Sequence, residues 1–207
     1  LEKTLVGRPL LRVDLRSPFV LRSVTPPLDA LNGRVARGAS RLGKRVVLAF
    51  DGDLFVVVHL MIAGRLRWRA PKANLGFGGR MLLATFAFPH GSLHLTEASS
   101  KKRASLEVVE GLSALASRDP GGLEVLDATV EQFAEALTRE NHTLKRALTD
   151  PRLLSGIGNA YSDEILHAAR LSPLTLTRSL DGQSLVRLYD ATRATLVVWT
   201  KIGRAHV

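Results

Sequence analysis

Thr143-Leu144-Lys145-Arg146-Ala147-Leu148-Thr149-Asp150-Pro151-Arg152-Leu153-Leu154-Ser155-Gly156-Ile157-Gly158-Asn159-Ala160-Tyr161-Ser162-Asp163-Glu164-Ile165-Leu166 reads as two helices joined by two tight turns. The first helix stops at Thr149, because a residue before proline is driven out of the α region, and Asp150-Pro151 supplies a cap followed by the residue favoured at the first helical position. A short helical turn over 151–154 follows. Gly156 and Gly158, two apart, belong where the backbone takes positive φ or approaches something closely. Asn159 starts the second helix, with Asp163 and Glu164 in its first turns and Arg170 at its end, which matches the helix dipole. Tyr161, Ile165 and Ala168 share one of its faces. Gly158 and Asn159 therefore stand at a helix N-terminus, where free backbone N–H groups with partial positive charge suit a phosphate or another anion. Lys145 lies before the turns. On spacing alone, the same pattern also describes a glycine-punctuated helical hairpin whose polar residues only cap.

The charge balance agrees with an anionic partner. Lys and Arg number 29 against 19 Asp and Glu, a formal charge of +10 over 207 residues. Nucleic acid and an anionic membrane surface both fit that charge. No apolar run reaches the ~18 residues of a spanning helix, and no charged-then-apolar signal peptide opens the chain, so no membrane partner and an intracellular, soluble protein are expected. A hydrophobic content of 45 % rules out disorder and leaves room for one large core or two small ones. With no cysteine there is no disulfide and no thiolate metal site, and the six histidines show no metal-ligand spacing with a carboxylate.

Between Leu10 and about Glu110 the pattern is mostly of period two, the signature of strands. Leu11, Val13 and Leu15 alternate with Arg12, Asp14 and Arg16. The runs Arg45 to Phe50 and Leu54 to Leu60 flank Asp51-Gly52-Asp53, a strong hairpin signal. Met81 to Phe88 and Ser92 to Thr96 pair across Pro89-His90-Gly91. Several short strands at this spacing favour a β-sandwich or barrel. Ser117 to Gly122 reads as a linker, and everything beyond Asp127 has helical period. Leu1 to Arg8 reads as the last turns of a helix that stops at Gly7. The helical pattern of Leu185 to Thr200 runs into Ile202 to Val207, which adds no amphipathic face and resembles a translated sequencing adapter, so this tail is set aside.

Leu148-Thr149-Asp150 together with Leu153 to Leu166 closely resembles the helix-two-turn-helix signature of the formamidopyrimidine-DNA glycosylase and endonuclease VIII family. Three further stretches keep that family's order and spacing: Leu5-Val6-Gly7-Arg8, similar to the end of its first helix; Leu42-Gly43-Lys44-Arg45-Val46-Val47-Leu48, similar to its glycine-lysine strand; and His59-Leu60-Met61-Ile62-Ala63-Gly64, similar to its histidine-leucine hairpin. The resemblance implies an α+β fold: an N-terminal antiparallel β-sandwich over 1–118, followed by an all-α helix-two-turn-helix domain over 119–207. It further implies a base-excision-repair enzyme, a bifunctional DNA glycosylase and abasic-site lyase acting on oxidised bases through a Schiff base. Its partner would be double-stranded DNA carrying a damaged base or an abasic site. A monomer in a bacterial-type cytoplasm, associated with the nucleoid, is expected. A non-catalytic nucleic-acid-binding protein is the alternative, since a small-subunit ribosomal protein family also uses a helix-two-turn-helix, but it would not need the Gly43-Lys44 strand or the His59 hairpin.

Several residues acquire roles by this resemblance. Taken alone, Lys44 at the start of an apolar strand would snorkel to solvent; by resemblance it contacts a phosphate beside the damaged nucleotide and donates a proton in the β-elimination. His59, otherwise a core histidine, becomes a second phosphate contact. Lys145, Gly158 and Asn159 bind phosphate from the helical domain. Ile62 stands where the family has Met, as an apolar wedge inserted where the base has left; burial in the sandwich is its bland alternative. Lys102 or Arg103 corresponds to the family's gap-filling Arg, within a string that here reads Glu97-Ala98-Ser99-Ser100-Lys101-Lys102-Arg103. The family begins with Pro-Glu, whose secondary amine attacks the sugar while Glu handles protons. Leu1-Glu2 does not correspond, because Leu5 to Arg8 already aligns with the far end of the first helix. The expectation is a chain cut at both ends and inactive alone. No cofactor is expected in it; zinc is expected in the full-length parent, whose C-terminal zinc finger is not represented here.

Overall fold

A computed structural model describes residues 1–71 and 79–205. It divides into two compact units, Leu1–Arg118 and Asp119–Val207.

The first unit opens with α1 (Glu2–Leu5), followed by β1 (Arg12–Leu15), β2 (Ala36–Leu42), β3 (Arg45–Phe50), β4 (Leu54–His59), β5 (Gly64–Arg69), β6 (Leu82–Phe88), β7 (Gly91–Glu97), β8 (Ser105–Glu110) and α2 (Leu112–Ala116). The strands form two four-stranded sheets, ordered β1-β6-β7-β5 and β2-β3-β4-β8, with antiparallel pairing throughout. Alternation explains how they meet. Phe86, Phe88, Leu93 and Leu95 of the first sheet and Leu48, Val56, Val58, Leu106 and Val108 of the second form one buried cluster. This is the antiparallel β-sandwich that the period-two pattern favours. The unbroken apolar run of β4 has its own cause: Phe55 and Val57 point away from the sandwich core into a second cluster with Val47, Val109 and the α2 residues Ala114 and Leu115. A strand covered on both faces has no reason to alternate.

The second unit contains α3 (Val130–Thr138), α4 (Leu144–Thr149), α5 (Asn159–Ala169) and α6 (Gly182–Ala205). Thr129 opens α3 with a capping box, its side chain accepting from the Gln132 N–H while the Gln132 side chain accepts from the Thr129 N–H. Helix α4 ends at Thr149, as the following proline demands. Residues 151–154 make the single short turn expected of them. Both Leu153 and Leu154 N–H groups return to the Asp150 carbonyl, and Leu154 then bridges to Leu123. The two glycines differ: Gly156 takes φ +82°, whereas Gly158 is extended and serves as N-cap of α5. The core gathers Phe133, Leu137, Leu144, Ala147, Leu148, Leu153, Leu154, Ile157, Ile165, Leu166 and Leu188. Ser162, Ile165, Leu166 and Ala169 are the buried residues of α5, while Ala168 is exposed. The face expected from Tyr161, Ile165 and Ala168 is thus turned toward Leu166 and Ala169, because α5 packs on two neighbours instead of one. Arg193 of α6 ties the segment before α3 by donating to the Val125 and Leu126 carbonyls at 3.1 and 2.7 Å. The helical pattern of Leu185 to Thr200 extends at both ends, to Gly182 and Ala205, so the helix takes in most of the tail from Ile202; residues 206–207 lie outside the described residues.

Asp150 shapes the turn between α4 and α5. Its carboxylate accepts from the Arg152 N–H at 2.9 Å and from the Arg152 guanidinium at 3.1 and 2.7 Å. Hydrogen bonding from Arg152 lowers its pKa from 3.8 to about 2. A folded-state pKa below the unfolded one means stability that is present above about pH 4 and lost as the pH falls toward 2. The shift corresponds to at most about 2 kcal/mol, which solvent screening of this surface pair reduces to about 1 kcal/mol. Asp150→Asn is therefore expected to lower the unfolding free energy measured in urea at pH 7 by that amount and to leave a shallower acid-unfolding limb. An unchanged acid limb would show that Asp150 does not hold the turn.

Candidate nucleic-acid interface

In the first unit, strand register collects the predicted residues at one end of the sandwich. Arg45, His59 and Ser105 stand in one row across β3, β4 and β8. Lys44 immediately precedes that row, in the turn after Gly43, whose φ is +58°. In the other sheet Gly64 pairs with Glu97. Segment 60–63 leads from His59 to Gly64, and segment 98–104 leads from Glu97 to Ser105. Both therefore cross from one sheet to the other at the same end.

Burial is the first cause that lowers the His59 pKa, and the positive charges of Arg45 and Lys44 lower it further. The shift favours the neutral imidazole of His59, which can donate an N–H without carrying charge. Partial desolvation also lowers the Lys44 pKa, which eases release of its proton. Ile62 is 84 % exposed, so burial in the sandwich does not explain it. The segment that carries it is closed by Gly64 N–H donating to Leu60 O at 2.9 Å, with Met61 at φ +53°. The Arg65 guanidinium donates to the Ile62 carbonyl at 3.1 Å and the Gly64 carbonyl at 2.7 Å.

Glu97 organises the other segment, a role that the sequence reading did not assign. It is 2 % exposed, and its Oε2 accepts the backbone N–H groups of Arg103 and Ala104 at 2.8 and 3.1 Å. Lys102 donates its Nζ to the Glu97 carbonyl. The Arg103 guanidinium has no hydrogen-bond partner among the described residues. The signal in the sequence was a lone acid ending an alternating strand just before a run of serines and cations.

In the second unit, Lys145, Gly158 and Asn159 are neighbours. Gly158 gives α5 no side-chain cap, and Asn159 is exposed at its first position. Lys145 reaches this end from α4, donating its Nζ to the Asn159 carbonyl at 3.0 Å and to the Asp163 carboxylate. Asp163 and Glu164 lie beyond the first turn of α5, which contains no acid. The helix dipole therefore does not account for Asp163, since its influence fades within one turn. Lys145 is its partner instead.

No described helix is long and apolar enough to cross a membrane. The zinc implied by the family resemblance does not fit the residues present: the chain has no cysteine, and the described residues contain no group of three or more His, Asp or Glu able to hold a metal.

Residues 1–107 match the model of the formamidopyrimidine-DNA glycosylase N-terminal domain, and residues 120–206 match that of the formamidopyrimidine-DNA glycosylase H2TH domain. A formamidopyrimidine-DNA glycosylase of Heliobacterium modesticaldum is 34 % identical over 200 residues, spanning 93 % of this chain and 71 % of that protein. One from Solibacter usitatus is 28 % identical over 205 residues, spanning 98 % and 74 %. Among solved structures, Lactococcus lactis formamidopyrimidine-DNA glycosylase bound non-covalently to DNA containing an abasic site superposes with a TM-score of 0.85 at 25 % identity, over 98 % of this chain and 78 % of that one. The same enzyme complexed with DNA containing a formamidopyrimidine-dG gives 0.82 at 25 % identity, over 94 % and 73 %.

Proposed function

Because the chain belongs to the formamidopyrimidine-DNA glycosylase family, we propose that it serves base-excision repair as a DNA glycosylase and abasic-site lyase acting on oxidised bases in duplex DNA. The observation that carries this reading is the convergence of Lys44, His59, the exposed Ile62 and the Lys102-Arg103 segment at one end of the sandwich. A nucleotide swung out of a duplex must be held by its flanking phosphates while the vacated stack is filled. Lys44 and His59 supply phosphate donors. Ile62 supplies an apolar wedge on a closed turn. Arg103 is the more available filling cation, because Lys102 is folded back onto Glu97. From the second unit, Lys145, Asn159 and the amides after Gly158 hold a further phosphate.

The covalent step follows from the class of chemistry. An amine attacks the sugar carbon as the bond to the base breaks, and the resulting Schiff base activates the sugar for β-elimination, in which Lys44 is the proton donor. The amine itself is not assigned within residues 1–207, since the sequence contains no Pro-Glu pair. Borohydride trapping on abasic-site duplex tests this directly. Tight binding to the abasic duplex, weakened by Lys44→Ala and by Ile62→Ala, is expected together with little covalent adduct. Equal affinity for intact and abasic duplex would defeat the lesion reading, and efficient trapping would reveal another amine as nucleophile.

A further inference from the structure

We propose that Asp163 is an electrostatic brake on Lys145, lowering the attraction of the protein for ordinary duplex phosphates and reserving the ammonium for a phosphate that Asn159 also engages. This rests on the reading above that Lys145 meets a DNA phosphate.

An ammonium has three donors. One goes to the Asn159 carbonyl at 3.0 Å and one to the Asp163 carboxylate. The first bond keeps Nζ beside the start of α5 whatever happens to the second. The second neutralises its charge. Asp163 is exposed, with a side-chain accessibility of 68 % against 30 % for Lys145, so the pair is a solvated one worth at most about 1 kcal/mol. A phosphate that finds further donors at Asn159 and the α5 amides can displace Asp163. One that meets Lys145 alone gains little over the carboxylate already there. In a chain of formal charge +10, indiscriminate binding to undamaged DNA is strong without such a restraint. The position of Asp163, past the turn where the dipole favours acids, leaves Lys145 as the reason for its charge.

Asp163→Asn keeps the oxygen and the shape while removing the charge. With the full chain and a short undamaged duplex, this variant is expected to bind several-fold tighter at low salt, with a slope of log affinity against log salt steeper by up to about 0.9. Its preference for the same duplex carrying an abasic site should fall. On the abasic-site duplex, where the phosphate displaces Asp163, Lys145→Ala should flatten the slope by about 0.9; on the undamaged duplex it should change the slope little, and it should cancel the gain seen in Asp163→Asn. If Asp163→Asn follows the unmodified protein in affinity and slope on the undamaged duplex while Lys145→Ala flattens the slope on the abasic-site duplex, the brake is wrong and Lys145 still meets a phosphate. If Lys145→Ala leaves the slope unchanged on the abasic-site duplex, Lys145 contacts no phosphate, and both the reading and the brake fall.

Discussion

Glu97→Leu is expected to destabilise the protein by about 3 kcal/mol in urea unfolding, whereas Glu97→Gln should retain most of the stability. Both backbone N–H groups that Glu97 accepts converge on a single oxygen, Oε2, in a side chain only 2 % exposed. A leucine would fill the space and leave two donors without an acceptor, one of them on buried Ala104. Each orphaned buried donor costs about 1–3 kcal/mol. Glutamine presents one carbonyl oxygen, which is all this geometry uses. The functional readout should follow the same order, since segment 98–104 carries Lys102 and Arg103: binding to abasic duplex should weaken in the Leu variant and return in the Gln variant. Wild-type stability in Glu97→Leu would mean that the Arg103 and Ala104 amides find other acceptors, and the positioning role would be lost.

Gly64→Ala should cost about as much, for a steric reason. A Cβ at Gly64 would lie 2.2 Å from the Leu60 carbonyl oxygen and 2.9 Å from its carbon, both backbone atoms that cannot rotate aside. That same oxygen receives the Gly64 N–H and closes the segment that presents Ile62. Accommodating the methyl must open this turn. Overpacking typically costs about 1–3 kcal/mol, and an immovable neighbour puts this case near the upper figure. The thermal midpoint should fall and Ile62 should lose its fixed aim, so the effect of Ile62→Ala on abasic-duplex binding should largely vanish in the Gly64→Ala background. Additive effects of the two substitutions would show that the turn does not position Ile62.

Local rules were sufficient wherever one residue's covalent geometry decides the outcome. The proline at 151 ends α4 at Thr149, and Asp51-Gly52-Asp53 turns β3 into β4. Period two marked β1, β6 and β7, turn residues marked the β3–β4 hairpin, and period 3.6 marked the helices of the second unit, because each period records which face leaves water, whereas β2 was not distinguished. The motif order from Gly43-Lys44 through His59 to Asn159 was also legible, as each depends on near-neighbour spacing. Glycine was less readable. Gly156 and Gly158 look alike as letters, yet one takes positive φ and the other caps a helix in extended form, since the surrounding turn selects the well.

The sequence by itself determined that a strand-rich half precedes a helical one, where several of those elements run, and which residue types stand at their ends. What only the tertiary structure decided is which of those ends meet. That Lys44, His59, Ile62 and the Lys102-Arg103 segment share one end depends on register between strands far apart in the chain. The burial of Glu97 and the partnership of Lys145 with Asp163 across 18 residues likewise lie beyond any local pattern. Propensity and periodicity describe a residue's own neighbourhood, whereas the charge, burial and hydrogen bonding of a site are set by groups brought together only when the chain closes on itself.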